Sequence, residues 1–452
     1  MPIDRNTAAR RVDSLRKDYE SALAELVEIR SISSDPARAG DVRRCGEAAV
    51  RWIQKLGGTA RLVETDGNPV VVGKLGNGGG RPVTFYNHLD VQPAGGPEWV
   101  RPPFEFINDN GRYFGRGATD DKGPALAALF GAFLAMEFGV KAQANICFEL
   151  EEEIGSPNFS KFLTKNADEL ACGSVVVSDT IWISKDKPAI PYALRGMQPA
   201  ILKLESAAND THSGDTGGVI KNPIAELCEV IARSVDAQTG RVLIPGFYDD
   251  VVEATEKELD EFEASGFRLE DFKSAYAIKR LVHNNSRSVL RAMWARPTFE
   301  VHGVTGGYSG PGIMAIVPPR AEAKISMRLV ANQEPRKIIN LLKEHVHNIN
   351  PDVEVTAHEG VSPYSAPFAG PHAAAARESF DFGFGMRPAL VREGGSIGPA
   401  LPLSRSLSAP VLFLGLSLPE HGYHAPNENF DWRQASGGML AFAKYLELNS
   451  TI

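Results

Sequence analysis

The sequence predicts an α/β fold on a mostly parallel sheet, with a smaller α+β unit inserted into it. Three observations lead there. Short apolar runs alternate with helical stretches over the first 194 residues and again after about Pro371, as in strand–helix–strand layering. From Leu194-Arg195-Gly196 onward the order becomes strand, helix, strand, strand, helix, strand. A chain of 452 residues also exceeds one ordinary core. The expected division is residues 1–194 with 361–452, and 195–360 as the insert.

The elements follow in order. Apolar residues recur at helical spacing from Thr7 to Ile29, at Val12, Leu15, Tyr19, Leu23 and Leu26. After Asp35-Pro36 a second helix is predicted from about Val42 to Leu56, ended by Gly57-Gly58. Strands are predicted at Val70 to Lys74, Pro82 to Tyr86, Asn145 to Leu150 and Ser174 to Val177, with a helix from about Gly123 to Phe138. Gly76 to Gly80 lacks the Lys-Ser/Thr of a P-loop and reads as a hairpin turn. In the insert, strands are expected at Ala200 to Glu205, Thr298 to His302, Ala321 to Leu329 and Val353 to His358. Helices are expected at Pro223 to Ser234 and Pro335 to Ile349. The strongly charged stretch from about Asp249 to Ser288 reads as solvent-facing helices. A helix from Ala373 to Phe380, a strand from Val411 to Leu414 and a helix from Arg433 to Leu448 return to the first pattern.

Composition narrows the class. Hydrophobic residues make up 43% and charged residues 23%, the profile of a globular enzyme. The net charge of -8 argues against a nucleic-acid partner, which would draw a basic surface. No apolar run approaches the roughly 20 residues of a membrane span. The charged segment from Asp4 to Arg16 has no apolar core of the kind a signal peptide carries, so a cytoplasmic location is expected. Cys45, Cys147, Cys172 and Cys228 form no C-x-x-C pair and are expected to be buried, reduced thiols.

Five segments carry chemistry, each at or near the end of a predicted strand, where sites form in open α/β sheets. In Asn87-His88-Leu89-Asp90, a His and an Asp two apart on extended chain share a side. Asp90 can then orient His88 towards a metal, although H-x-D alone equally fits a structural histidine. Thr119-Asp120-Asp121-Lys122 precedes a helix, so its carboxylates could cap that helix or bridge two cations. Glu149-Leu150-Glu151-Glu152-Glu153 is either a solvated charge run or a source of one metal ligand and one base. Asp179 ends the strand Val175-Val176-Val177, and His421 and His424 share a Gly/Pro loop. Two histidines and several carboxylates, with no cysteine ligand, suit zinc, manganese or cobalt.

These segments, in this order, resemble a family of dinuclear zinc peptidases that includes carnosinases, cytosolic non-specific dipeptidases, carboxypeptidase G and acetylornithine deacetylase. H-x-D-V-x-P, G-R-G-x-x-D-D-K-G, E-E-x-G-S and G-Y-H all occur, and the likeness spans nearly the whole chain. It implies a catalytic domain with helices on both faces of its sheet and a ferredoxin-like insert that serves as lid and dimerisation domain. It also implies two divalent ions, zinc above all: His88 and Asp179 on one, Glu153 and His424 on the other, and Asp120 between them, with a cis peptide after Asp120. Glu152 would be the general base and Asp90 the partner of His88, while His421 would be structural and Asp121 a cap or brace rather than a ligand. In Asp210-Thr211-His212-Ser213-Gly214, His212 resembles the oxyanion-stabilising histidine that dimeric relatives lend to the partner subunit. Arg328 resembles the arginine that pairs with the substrate carboxylate. Gly395 and Ser396 lie in a loop similar to the one that meets the same end of the substrate.

The implied activity is hydrolysis of the amide bond of a dipeptide or small peptide with a free C-terminal carboxylate. A water shared by two cations about 3.5–4 Å apart would attack, and Glu152 would move its proton. An N-acyl-amino-acid deacylase on the same scaffold is the alternative. In the family, Asp at position 179 goes with dipeptidases and tripeptidases, and Glu with deacylases and carboxypeptidase G. The charged insert also resembles the carnosinase branch. A non-catalytic binding protein would lack some ligands, whereas all five are present here with the base.

Overall fold

The computed structural model describes residues 2–452 except Asn77 and Phe368. The central sheet has the spatial order Thr59–Val63, Val70–Leu75, Ala144–Glu149, Val83–His88, Ser174–Val177, Val411–Phe413. The last four strands are mutually parallel, and Val70–Leu75 runs against its neighbours. The strands Val83–His88, Ala144–Glu149 and Ser174–Val177 are buried along their whole length. That burial explains why they read as mostly apolar stretches without strict alternation, with Thr84, Asn87 and Asn145 as buried polar exceptions.

Successive side chains of these strands still go to opposite faces. Phe85, Ile146 and Val176 join one core with the helices Arg5–Glu28, Ala39–Lys55, Lys122–Glu137, Pro371–Phe384 and Trp432–Asn449. Tyr86, Cys147, Val175 and Val177 join a second core with the helices Phe159–Asn166 and Ala400–Leu407. The sheet is therefore covered on both faces. The helix Lys122–Glu137 is buried almost all round because it lies between the sheet and the helix Trp432–Asn449. At Gly131 a Cβ would meet Phe442 Cβ at 2.8 Å and the Met439 carbonyl at 2.9 Å, so only glycine allows this approach.

The segment Gly76 to Gly80 does not close a hairpin. The strands on either side of it, Val70–Leu75 and Val83–His88, are separated by Ala144–Glu149, and Asn77 itself lies outside the described residues.

A second sheet has the order Thr298–Gly306, Arg320–Leu329, Gly196–Glu205, Glu354–Ala357, all antiparallel. The helices Pro223–Ser234 and Pro335–Ile349 cover one face through Leu227, Val230, Ile338, Leu342 and Val346. Asn222 caps the first helix, accepting from the N–H groups of Ile224 and Ala225. Thr298–Gly306 is an edge strand with a bulge between Val301 and Gly303, and its second half is exposed.

The charged stretch departs from its expected form. Its helices are Glu256–Glu263, Leu269–Ala275 and Ser286–Ala295. They are not solvent-facing throughout, since Ala254, Leu259, Phe262, Leu290 and Trp294 pack into the large core of the central sheet. Their charges pair with one another on the outside, with Arg287 reaching Glu256 at 2.6 Å and Asp260 at 2.9 Å. The apolar positions were hidden in sequence by the density of charge around them.

A small third sheet matters for the site. Ala389–Glu393 runs parallel to Ala189–Leu194, with Glu393 opposite Leu194, so Arg195 and Gly394 leave the sheet side by side. All four cysteines are free; Cys45 and Cys147 are buried, Cys172 is half-buried, and Cys228, against expectation, is exposed. Among the described residues no helix is long and apolar enough to cross a membrane.

Candidate metal centre

Parallel strands bring their carboxyl ends to one edge of the sheet. His88 ends its strand, Glu152 and Glu153 follow Ala144–Glu149, and Asp179 follows Ser174–Val177. The loop after Val411–Phe413 adds His424. The result is two groups of possible ligands: His88, Asp120 and Asp179, and Asp120, Glu153 and His424, with the ligand atoms of each group within 4.8 Å of one another. Asp120 belongs to both. Its Oδ1 lies 3.0 Å from His88 Nε2 and its Oδ2 lies 3.0 Å from His424 Nε2. His88 Nε2 is 3.6 Å from Asp179, and His424 Nε2 is 3.2 Å from Glu153.

Asp90 organises both sides of this centre. Its backbone oxygen lies 3.0 Å from His88 Nδ1 and its carboxylate 3.4 Å, which leaves Nε2 facing Asp120. The same carboxylate accepts the backbone N–H groups of Glu152 and Glu153 at 3.2 and 3.1 Å. Asp121 stands at the N-cap of the helix Lys122–Glu137 but makes no capping bond with its side chain. It braces the back of the strand instead, accepting from Asn87 Nδ2 at 2.6 Å and His88 N–H at 3.3 Å. The Asp120–Asp121 peptide is cis. His421 is buried, with Nδ1 accepting from Leu418 N–H at 3.0 Å and Nε2 3.0 Å from Asp431.

The donor set fits divalent metal. Asp90, Asp120, Asp121, Asp179, Glu152 and Glu153 converge against two imidazoles, an excess of negative charge that protein alone leaves unbalanced. Asp120 Oδ2 is buried and forms no hydrogen bond of acceptable geometry, although His424 is only 3.0 Å away. Nitrogen and carboxylate donors without thiolate suit zinc and its neighbours.

The electrostatics follow from burial and these contacts. Burial pushes the Asp120 carboxyl up, but His424 and His88 outweigh it and hold the group well below the usual range. Burial disfavours the His88 imidazolium, yet Asp120, Asp90 and Asp179 raise it well above the usual value. Asp179 is pushed up to about 6, first by burial. Burial raises Glu152 well above the ordinary carboxylate range.

Other expected residues sit apart. His212 is exposed, its ring accepting from Gly214 N–H at 3.0 Å and lying 3.8 Å from Asp215, and no contact joins it to either ligand group within the chain. Arg328 donates from Nη1 to Ser396 Oγ at 3.3 Å, which seats Gly395 and Ser396 beside it.

Sequence reading missed several participants. Glu428 is buried and accepts from Gly117 N–H at 3.1 Å, from Thr119 and Asp120 N–H at 3.0 Å each, and from Arg116 Nη1 at 2.7 Å. Tyr423 donates to Asp179 Oδ1 at 2.7 Å, and Gln92 donates to both oxygens of Glu153 at 3.1 and 2.7 Å. Glu393 is raised to about 8 by burial and then by Asp179, and its Oε2 has no partner. Arg195 touches the Ser396 loop, donating from Nε to Gly394 O at 3.1 Å. Glu428 and Tyr423 flank His424 in the same loop, and Glu393 opens the loop of Gly395 and Ser396, so their positions were usable signals; Arg195 gave none.

Known proteins resemble the chain over nearly its whole length. The model of peptidase family M20/M25/M40 matches residues 84–448. The chain is 31% identical to a Cys-Gly metallodipeptidase of Schizosaccharomyces pombe, over 96% of both chains. It is 29% identical to human Beta-Ala-His dipeptidase, over 97% of this chain and 91% of that one. A solved M20 metallo-carboxypeptidase from Sulfolobus solfataricus superposes with a TM-score of 0.86 at 30% identity, covering 96% of this chain and 99% of that chain. The chain belongs to peptidase family M20/M25/M40.

Proposed function

We propose that this peptidase hydrolyses the amide bond of dipeptides with a free C-terminal carboxylate, using two divalent cations, zinc foremost. One observation carries the reading: the two oxygens of Asp120 face two different imidazoles, so a single carboxylate belongs to two ligand sets. His88 and Asp179 would hold one ion, Glu153 and His424 the other, with Asp120 between. When bound, such a pair lowers the pKa of water and polarises the scissile carbonyl.

The chain's own groups do the rest. Glu152, raised by burial and fixed by the Asp90 bond to its backbone, takes the proton of the attacking water and returns it to the leaving amine. Arg328 and the Gly395–Ser396 loop receive the carboxylate end. Glu393, half-buried beside Asp179 with a buried, unpartnered oxygen, offers a seat for a free ammonium. That seat favours a dipeptide over an N-acyl amino acid, whose nitrogen carries no charge. The names of the two curated relatives, both dipeptidases, support the same substrate class.

The remaining parts of the reading are a catalytic unit of residues 1–194 and 361–452, an insert of 195–360, a cytoplasmic location, and a homodimer through the insert. The exposed edge strand Thr298–Gly306 supports the dimer, since Val301, Val304, Tyr308, Ile313 and Met314 are exposed on or next to it. His212 would then complete the partner's site, in keeping with its lack of contact to the ligand groups of its own chain. The test is a panel of dipeptides, including Cys-Gly and β-Ala-His, against N-acetyl amino acids, with zinc, manganese or cobalt. Dipeptide turnover is expected; cleavage of the N-acyl compounds alone would contradict the reading.

A further inference from the structure

Arg328 faces Met197 across the strand pair Arg320–Leu329 and Gly196–Glu205. Arg195 is two residues before Met197, so the register makes the two arginines diagonal neighbours on one side of the pair, close enough for long side chains to meet. The Gly394–Ser396 loop ties them together. Arg195 donates its backbone N–H to Glu393 O at 3.2 Å and its Nε to Gly394 O at 3.1 Å. Ser396 Oγ donates to Arg195 O and accepts from Arg328 Nη1. The Arg195 guanidinium is pressed against the loop, since a Cβ on Gly394 would stand 3.1 Å from its Nη2.

Two half-buried guanidiniums on one short loop repel each other. Burial lowers Arg195 to about 10, with Arg328 the next cause, and only Glu300 offsets either. Glu300 is exposed, and among the described residues no carboxylate lies within ion-pairing distance of Arg195 or Arg328. Such a pair is stable when an anion sits between its forks. The arrangement also lies on the loop whose first residue is Glu393, the proposed ammonium seat.

We propose that Arg195 and Arg328 form a two-arginine clamp on the substrate's C-terminal carboxylate, with Arg195 as a substrate-binding residue in its own right. The inference rests on the dipeptidase reading and deepens it.

The test is a cycle of binding measurements on zinc-loaded Glu152→Gln protein. Calorimetry compares Ala-Ala with its C-terminal amide, with and without the additional change Arg195→Gln. With Arg195 present, amidation is expected to weaken binding more than it does in the variant, by on the order of 10- to 100-fold. Arg195→Lys, which keeps the charge and loses the fork, should fall between and serves if the glutamine variant does not fold. An amidation penalty of the same size in every background overturns the clamp, as does Ala-Ala that binds none of these proteins. Turnover with Glu152 intact is scored separately. Enzyme that binds Ala-Ala through Arg195 but cleaves no dipeptide would refute the proposed activity and leave the clamp standing.

Discussion

Glu428 accepts the backbone N–H of Asp120 at 3.0 Å, and so holds the carboxylate shared by both candidate ligand groups from a loop that also carries His424. With Thr119, Gly117 and Arg116 on the same carboxylate, it fixes the turn that aims the two oxygens of Asp120. Glu428→Gln keeps the shape but weakens these bonds and leaves Arg116 uncompensated in a buried setting. The expected result is a 10- to 100-fold loss of zinc affinity, about the size found when outer partners of ligands are changed. Competition with a chelating dye measures it; unchanged affinity in folded protein would show that the turn holds without Glu428.

Glu152→Gln addresses the proton transfer. Its backbone contact to Asp90 is retained, so both metal groups should survive. The side chain can no longer accept a proton, and kcat should fall by at least the roughly 100- to 10,000-fold attributed to general base catalysis. Metal content and steady-state rates on one preparation decide the matter. A variant close to wild-type kcat would remove Glu152 from the mechanism.

His212 is best tested by mixing. His212→Ala chains and Glu152→Gln chains, each inactive alone, are combined under subunit exchange. If His212 serves the neighbouring subunit, a mixed dimer contains one intact site and activity returns. If mixed dimers form and remain inactive, the histidine does not act across the interface.

A pH-dependent contribution to stability is expected from Glu258. It accepts from Tyr192 OH and from Arg392 Nη2, and so joins the helix Glu256–Glu263 to the strand that leads into the proposed substrate loop. Burial pushes its carboxyl up, but Tyr192, the Thr255 backbone and Arg392 outweigh this and lower it from 4.5 to about 2. A depressed folded-state value gives stability that is complete above 4.5 and is lost as pH falls towards 2. Glu258→Gln should therefore destabilise the protein by about 1–3 kcal/mol at neutral pH. The gap to wild type should narrow in melts taken below pH 4.5. A gap that stays constant with pH would mean that the charge contributes nothing.

Much of this architecture was legible in the sequence, for identifiable reasons. The helices Pro223–Ser234 and Pro335–Ile349 are read to the residue because a proline opens each and the apolar spacing is regular. The buried parallel strands are clear because both their faces are covered, which leaves mostly apolar stretches without strict alternation. The strand Thr59–Val63 is missed because, as the half-exposed edge of its sheet, it carries mixed residues. Gly76 to Gly80 is misread because glycine marks a turn without saying which strand comes next to it in space. In the site, residues at strand ends could be located from pattern, and the resemblance distributed them among roles. Glu428, Tyr423 and Glu393 act by reaching across the fold, over 308 residues from Glu428 to Asp120 and 244 from Tyr423 to Asp179, and no local pattern encodes such a contact.

The shared position of Asp120 makes metal stoichiometry the most direct measurement. Apoprotein is loaded with zinc, freed of excess, and analysed for metal per folded chain. About two equivalents are expected for the wild type, with a marked loss in Asp120→Ala, because that change strips a ligand from both groups at once. Folded wild-type protein that reproducibly holds no zinc, manganese or cobalt would contradict the account.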